Sequence, residues 1–347
     1  MAGTSSQATV REPILSVVLP NYNHARYLPR ALDALLNQNS AATEILVIDD
    51  CSTDASRSII TDYAAKHPSI RLLVNKKNVG AIETLARGLQ AARGQFVYFG
   101  AADDYVMPGF FSTAIEMLIA HSQAGLFCGE AILVDGITNR KIGIRPPVRP
   151  RFSSGFIPPA KFAALLERND NFMVTGAAVF RHDAAAWSGG FDRCLSSFAD
   201  GYMIRKVALT FGLCYAPQIC LTWCAFPDSV SRKTASDAER TLQVLTTIQE
   251  RMASDPVFPK WYRDKFTLRW RFSACRLALQ QEPPNRDFLV EVGPHRRRDH
   301  VVYDFALNTF SSAFARFTIL SWLWLQFRPF SLIGLVSTAL ARRLGFR

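Results

Sequence analysis

Short apolar runs recur along the first 135 residues, each closed by turn-forming residues and followed by a stretch of helical period. From Ile14 to Leu19 the chain reads ILSVVL and stops at Pro20 and Asn21, the pattern of a strand buried on both faces. Residues 26–38 then put Leu28, Leu32, Leu35 and Leu36 on one helical face. A second unit runs EILVIDD over 44–50, passes through CSTD and predicts a helix over 55–67. A third strand, IRLLVN, leads through Asn78, Val79 and Gly80 to a helix over 81–92, and a fourth lies in GQFVYFGAADD. After Pro108 the pattern predicts a helix over 109–121 and an apolar strand near LFCGEAILVD. Such alternation predicts right-handed crossovers, a parallel sheet, and ligands beyond the carboxyl ends of its strands.

The alternation then stops. Residues 143–159 hold five prolines and several arginines with little periodicity, which predicts a long functional loop at the rim of a site. A helix near 160–168, a strand at FMVTGAAVF, the turn SGGFD and a helix near 200–211 follow. Residues 236–281 read as helical, and 303–347 are apolar and basic. Arg316, Arg328 and Pro329 interrupt that tail before it reaches the roughly 18 apolar residues of a membrane span. A pair of interfacial helices is the expectation instead.

Hydrophobic residues make up 49% of the chain and charged ones 20%, enough apolar surface for a sizeable core and against disorder. The net charge of +11 suits an anionic lipid surface or a phosphate-bearing substrate; it would suit nucleic acid too, but no nucleic-acid motif is present. The seven cysteines form no CxxC pair and no zinc spacing, which fits reduced thiols in a cytosolic protein. The opening MAGTSSQATVREP has no apolar signal core, so the active part is expected to face the cytoplasm.

Acidic clusters stand at successive strand ends. Bound diphosphate needs countercharge, a divalent cation needs oxygen ligands, and a Lewis-acid metal stabilises a departing diphosphate without a proton. The segments VVLPNYNHARYL, EILVIDDCSTDAS, NVGAIETLARGLQAARGQFVYFGAADDYVMPGF and GGFD with a later acidic helix, in this order and spacing, resemble glycosyltransferase family 2 over roughly residues 14 to 232. The resemblance implies the GT-A fold, a Rossmann-like, mostly parallel α/β sheet flanked by helices, here with a C-terminal helical extension. It also implies inverting transfer from a UDP- or other nucleotide-activated sugar, with Mn2+ or Mg2+.

By that resemblance Pro20, Asn21 and Tyr22 lie along the base and ribose, Tyr22 stacking on the base. Asp50 accepts a hydrogen bond from the base with Asp49 beside it, while Asp54 reads as a helix cap. Asp103 and Asp104 match the DxD-like motif, Asp104 coordinating the metal and Asp103 supporting ribose or diphosphate. Asp200 stands where relatives carry the general base; its bland alternative is an N-cap aspartate, and Asp192 reads as structural. The chain departs from the family pattern at Ala101, at Leu85-Ala86, and at Cys224 and Phe226. Arg87, rotated by about 200° from Leu85 around a helix, is no substitute for the arginine often found there. Ser229, Ser231, Arg232 and Lys233 are candidates for a phosphate-facing loop, an ordinary basic loop being the alternative.

The expected organisation is a flexible segment over 1–12, a GT-A domain over 13–235 and a helical region over 236–347. The domain divides into a nucleotide-sugar half (13–135) and an acceptor half (136–235). Arg296, Arg297 and Arg298, with Arg342, Arg343 and Arg347, flank Trp322, Trp324 and Phe327; cations beside aromatic residues predict attachment to an anionic membrane surface. The expected partners are a nucleotide sugar and a glycan or lipid-linked acceptor. A sugar nucleotidyltransferase is disfavoured because no Gly-rich basic loop follows the first strand, and a dehydrogenase because there is no GxGxxG. A catalytically inactive membrane scaffold on the same fold predicts little nucleotide affinity.

Overall fold

The computed structural model describes residues 14–38, 43–226, 237–281 and 283–345. The segment 1–12, the 235/236 boundary, Ser229, Ser231, Arg232, Lys233 and Arg347 lie outside them.

The parallel half of the sheet follows the apolar runs. Strands β1 (Leu15–Asn21), β2 (Thr43–Asp49), β3 (Ile70–Val74) and β4 (Phe96–Phe99) are joined by helices α1 (Leu28–Leu36), α2 (Ser56–Lys66) and α3 (Ala81–Ala91). All their pairings are parallel, in the order β3-β2-β1-β4. Alternate residues of each strand feed opposite cores: Val18, Leu46, Ile48, Val97 and Phe99 on one face, and Leu15, Val17, Leu19, Ile45, Val47, Phe96 and Tyr98 on the other. A strand covered by helices on both sides has no polar face, which is why these runs are continuously apolar. Gly88 lets α3 lie close on the sheet, since a Cβ there would stand 2.2 Å from Val18 Cγ1.

Beyond β4 the sheet becomes mixed. The chain crosses through 100–104 to β5 (Tyr105–Val106), then runs through α4 (Phe110–Ala120), β6 (Leu126–Asp135), β7 (Lys141–Arg145), β8 (Gly155–Ile157), α5 (Pro159–Arg168), β9 (Ala178–Arg181), α6 (His182–Trp187), α7 (Ala199–Phe211) and β10 (Leu213–Ala225). The order continues β4-β9-β6-β10-β5, with β7 on β6 and β8 on β10; β9 is antiparallel to both neighbours, and only β6–β10 is parallel.

Three differences from the sequence pattern matter. The proline-rich stretch is flanked by two short strands, so Arg145 is fixed in a ladder with β6 rather than carried by a free loop. In FMVTGAAVF only the last residues pair; a 3-10 turn over Thr175–Ala177 precedes β9, turning the chain at the site. Residues 213–225, an apolar stretch that contains Pro217, carry no element in the sequence pattern above. The structure puts a 13-residue strand there and absorbs the proline at a register shift between Tyr215 and Ile219.

The core continues into the helices that follow. Residues Val244, Leu245, Ile248 and Met252 of α8 (Ala238–Ser254), and Tyr262 and Phe266 of α9 (Lys260–Ala278), join the cluster on one sheet face. A separate cluster gathers the far half of α9 with α10 (Arg286–Val292), α11 (Arg297–Thr309) and α12 (Ser312–Phe327). After α12, Arg328 adopts φ 43° and Pro329 forbids continuation, so α13 (Leu332–Arg343) leaves at a bend of 117°. Among the described residues no single helix is long and apolar enough to cross a membrane.

Arg269 of α9 fastens this region to the sheet unit, donating to the carbonyls of Leu166 (2.7 Å), Glu167 (3.1 Å) and Pro329 (3.0 Å). A second fastening lies on β6, where Glu130 is 1% exposed. Its Oε1 accepts from Arg149 Nε (2.7 Å), Tyr215 OH (2.9 Å) and Arg342 Nη2 (3.0 Å). Arg342 also donates to the Pro146 carbonyl, and the Arg149 amide donates to Thr338 Oγ1. This corrects the expectation for Arg342: its charge is turned inward to a buried acid, not outward to lipid. Phe327 is likewise buried, and Trp322 donates its indole N–H to Asp299.

Candidate active site

The C-terminal ends of β1, β2 and β4 lie side by side, and the loops leaving them carry the predicted donor residues. Asn21 donates through Nδ2 to Asp49 Oδ1 and to Ser52 Oγ, both at 3.1 Å. Asp49 Oδ2 accepts from the Ser52 amide (3.0 Å) and Arg57 Nε (2.8 Å). Burial alone would raise the Asp49 pKa, but Arg57, Ser52 and Asn21 together hold it below the ordinary aspartate value. Asp50, next along the extended backbone, faces the other way, and Cys51 follows it at φ 65°. Asp50 Oδ1 accepts from Asn75 Nδ2 (2.8 Å) and the Val79 amide (2.9 Å), and Oδ2 accepts from the Gly80 amide (2.8 Å), its one donor among the described residues. Both acids are therefore built into the loop framework. Pro20 is half-buried and Tyr22 is 43% exposed, its ring free to meet a ligand. Ala55, not Asp54, is the N-cap residue of α2, although Asp54 accepts from the Ser56 amide in its first turn and from the Ala25 amide, both at 2.9 Å.

The turn after β4 carries Ala101, Asp103 and Asp104. Asp104 Oδ1 accepts from the Cys224 amide (2.8 Å), so β10 supplies backbone at the place where the family pattern has a different side chain. Burial, then the charge of Asp103, push the Asp104 pKa well above the ordinary value, against the Cys224 amide and Arg30. Neighbouring carboxylates with so little countercharge fit a cation. Among the described residues no third His, Cys, Asp or Glu joins them, so such a cation would take further oxygens from its ligand. Arg30, which the sequence did not single out, braces this turn. It donates to the Asp103 carbonyl and Cys224 Sγ, both at 3.3 Å, and stacks over Tyr105 at 4.3 Å.

Asp104 opens on a cleft of about 750 Å³, and Asp200 lines the same cleft. The chain kinks at Ser196 (φ 48°, ψ −128°) and starts α7 at Ala199, placing Asp200 in the first helical turn. Phe198, not Asp200, is the N-cap residue, although Asp200 Oδ1 accepts from the Gly201 amide at 2.6 Å. Burial raises the Asp200 pKa above the ordinary value; the Gly201 amide, the Thr175 hydroxyl and Arg205 act against it and do not cancel it. Arg205 is committed to Asp170 (2.7 Å), and both meet the Tyr262 hydroxyl, which ties α7 to α9. Arg87 reaches back to the end of β3, Leu85 lines the cleft, and Phe226 packs on Tyr27. Asp192 caps its turn and pairs with Arg251, a structural acid as expected.

The far wall comes from the C-terminal helices. Phe266, Arg269, Trp270 and Arg276 of α9, with Pro329 and Phe330 of the bend, line the same cleft as Asp200 and Trp223. Nothing in the local sequence marks these residues, because their approach depends on how α9 docks.

Comparisons with known proteins agree with this geometry. The family Glycosyl transferase family 2 matches residues 16–186. The chain is 38% identical over 105 residues to the uncharacterized glycosyltransferase YibD of Escherichia coli, covering 30% of each chain. It is 29% identical over 122 residues to the putative teichuronic acid biosynthesis glycosyltransferase TuaG of Bacillus subtilis, covering 35% of this chain and 48% of that one. These matches thus span less than half of either relative. Among solved structures, S. aureus TarS 1-349 in complex with UDP-GlcNAc superposes with a TM-score of 0.58 at 16% identity, over 95% of this chain and 92% of that one. The mannosyltransferase PcManGT from Pyrobaculum calidifontis, in complex with GDP-Man and Mn2+, gives 0.56 at 16% identity, over 95% and 88%. At such identity the likeness concerns the fold, which is GT-A.

Proposed function

We propose that this chain, which belongs to glycosyltransferase family 2 through its residues 16–186, moves a sugar with inversion from a nucleotide-sugar donor, a UDP-sugar by preference, to a hydroxyl of a glycan or lipid-linked acceptor in cell-surface polysaccharide or glycoconjugate biosynthesis. The observation that carries the reading is the opening of Asp104 and Asp200 on one cleft. On this reading Pro20 and Asn21 line the base and ribose, Tyr22 stacks on the base, and Asp50 takes the base N–H at Oδ2 with Asp49 holding the loop. Asp103 supports the ribose or diphosphate, and Asp104 would hold Mn2+ or Mg2+, which when bound neutralises the diphosphate. Asp200 takes the proton of the acceptor hydroxyl. The bond from that oxygen to the anomeric carbon forms as the bond to the diphosphate breaks, and the nucleoside diphosphate leaves from the opposite face.

Calorimetric titration with UDP and GDP, with and without Mn2+, tests the donor side. The expected result is metal-dependent binding of one nucleotide, weakened at least roughly tenfold in Asp104→Ala, the lower end of what even outer-shell partners of a metal ligand contribute. Binding of neither nucleotide would favour the inactive scaffold.

The same reading puts the enzyme at the cytoplasmic face of the membrane as a peripheral protein. Support comes from the outward residues Val301, Phe305 (58% exposed), Phe314, Phe317 (66% exposed) and Leu325, which lie on α11 and α12. The exposed Arg296, Arg297 and Arg298 stand at the start of α11, a suitable edge for anionic headgroups. In flotation assays the protein is expected to rise with phosphatidylglycerol vesicles and remain behind with phosphatidylcholine. Phe305→Ser combined with Phe317→Ser is expected to reduce the floated fraction severalfold. Equal behaviour on both vesicles would reject the surface.

A further inference from the structure

Two arginines of the cleft have no part in the reading above. Arg145 ends β7 and Arg276 lies on α9, and both line the cleft shared by Asp104 and Asp200. The other cleft arginines are engaged: Arg205 by Asp170 and Tyr262, Arg269 by three carbonyls. Among the described residues, neither Arg145 nor Arg276 has a carboxylate partner. Both side chains are partly withdrawn from solvent; burial lowers the proton affinity of each, and the charge of Arg145 lowers that of Arg276 further. Two like charges in a partly desolvated cleft repel, and a bound anion removes that cost. Their supports are fixed, since Arg145 pairs with Ala131 in the β6–β7 ladder and α9 is fastened by Arg269 one heptad earlier.

The location separates this pair from the donor diphosphate. Asp104 leads directly into β5, and the sheet runs β5, β10, β6, β7 from there, so Arg145 stands three strand spacings away, on the order of 14 Å. On the proposed reading the donor takes the Asp104 end, which leaves the arginine end to the other substrate. We infer that Arg145 and Arg276 form a subsite for an anionic group, phosphate or carboxylate, carried by the acceptor. This rests on the proposed glycosyl transfer and deepens it: the acceptor is recognised by charge as well as by its hydroxyl.

The test uses the full chain, with and without saturating UDP and Mn2+, titrated with glycerol 3-phosphate, glucuronate, farnesyl phosphate and neutral glycerol. Expected is binding of at least one anion and none of glycerol. Binding should fall about tenfold or more in Arg145→Gln and in Arg276→Gln, the scale of one charge-assisted hydrogen bond, with UDP affinity unchanged. Arg276→Lys, which keeps the charge, is expected to retain most of it, and unchanged melting curves exclude a folding defect. Tighter binding of farnesyl phosphate than of glycerol 3-phosphate assigns the charge to a lipid carrier; equal binding assigns it to phosphate on a glycan, and preference for glucuronate to a sugar acid. Anion binding that is absent or indifferent to the substitutions overturns the subsite, as does an equal loss of UDP affinity, which would give the arginines to the donor. Failure of the wild type to bind either UDP or GDP would instead count against the transferase reading, because the anion titrations without nucleotide read the arginines independently.

Discussion

Asp200→Asn is expected to lower the transfer rate by about 10²–10⁴, the usual contribution of a positioned base, while leaving nucleotide affinity intact and raising the melting temperature at neutral pH. The two signs have one origin. Burial raises the Asp200 pKa above its reference of 3.8, so the folded protein holds that proton more tightly than the unfolded chain. The corresponding stability is fully present below the unfolded pKa and is lost as pH rises through the folded one, so at neutral pH the buried carboxylate is a cost. Asparagine removes that cost together with the base. For the wild type, the acid limb of the rate profile should lie above pH 3.8 and be absent from the residual activity of the variant. Transfer that survives the substitution would remove Asp200 from the reaction. A fall in melting temperature would instead mark it as a structural helix-end residue.

Glu130→Ala is expected to destabilise the protein by about 3–5 kcal/mol, the cost of removing one partner of a buried ion pair. Glu130 is the shared acceptor of Arg149, Arg342 and Tyr215, so its loss takes a buried acceptor from two arginines at once. The guanidinium chloride midpoint reports the magnitude. Limited proteolysis adds the location: cleavage near 328–331 should accelerate as α13 loses its hold. A small midpoint shift with unchanged cleavage would show that Thr338 and the surrounding packing hold α13 unaided.

The same cluster explains where sequence reasoning reached its limit. The parallel half was legible because each strand is a local apolar run and each acid stands at a strand end, so Asp49, Asp50, Asp103 and Asp104 could be placed by counting. Asp200 was singled out through the resemblance to the family in GGFD and the helix that follows. The strand at 213–225 was not, because its identity depends on partners far along the chain that tolerate Pro217. Arg30, Arg145, Arg205, Arg269 and Arg276 were not legible either: an arginine in a helix or loop carries no local mark of what it will face. Arg342 misled for the same reason, since a cation beside an apolar segment has the same sequence whether it meets a headgroup or a buried glutamate.

The separation of Glu130 and Arg342 by 212 positions has a consequence for how the chain is made. Ribosomes add about 5–20 residues per second, so the glutamate precedes this arginine by roughly 10–40 s. Arg149 follows Glu130 by only 19 positions, about 1–4 s of synthesis, and neutralises the acid early, which lets the sheet form around a balanced pair. The last helix is then received by a surface already folded, and its docking is a late step of biogenesis that brings the wall of the cleft into place behind a finished floor.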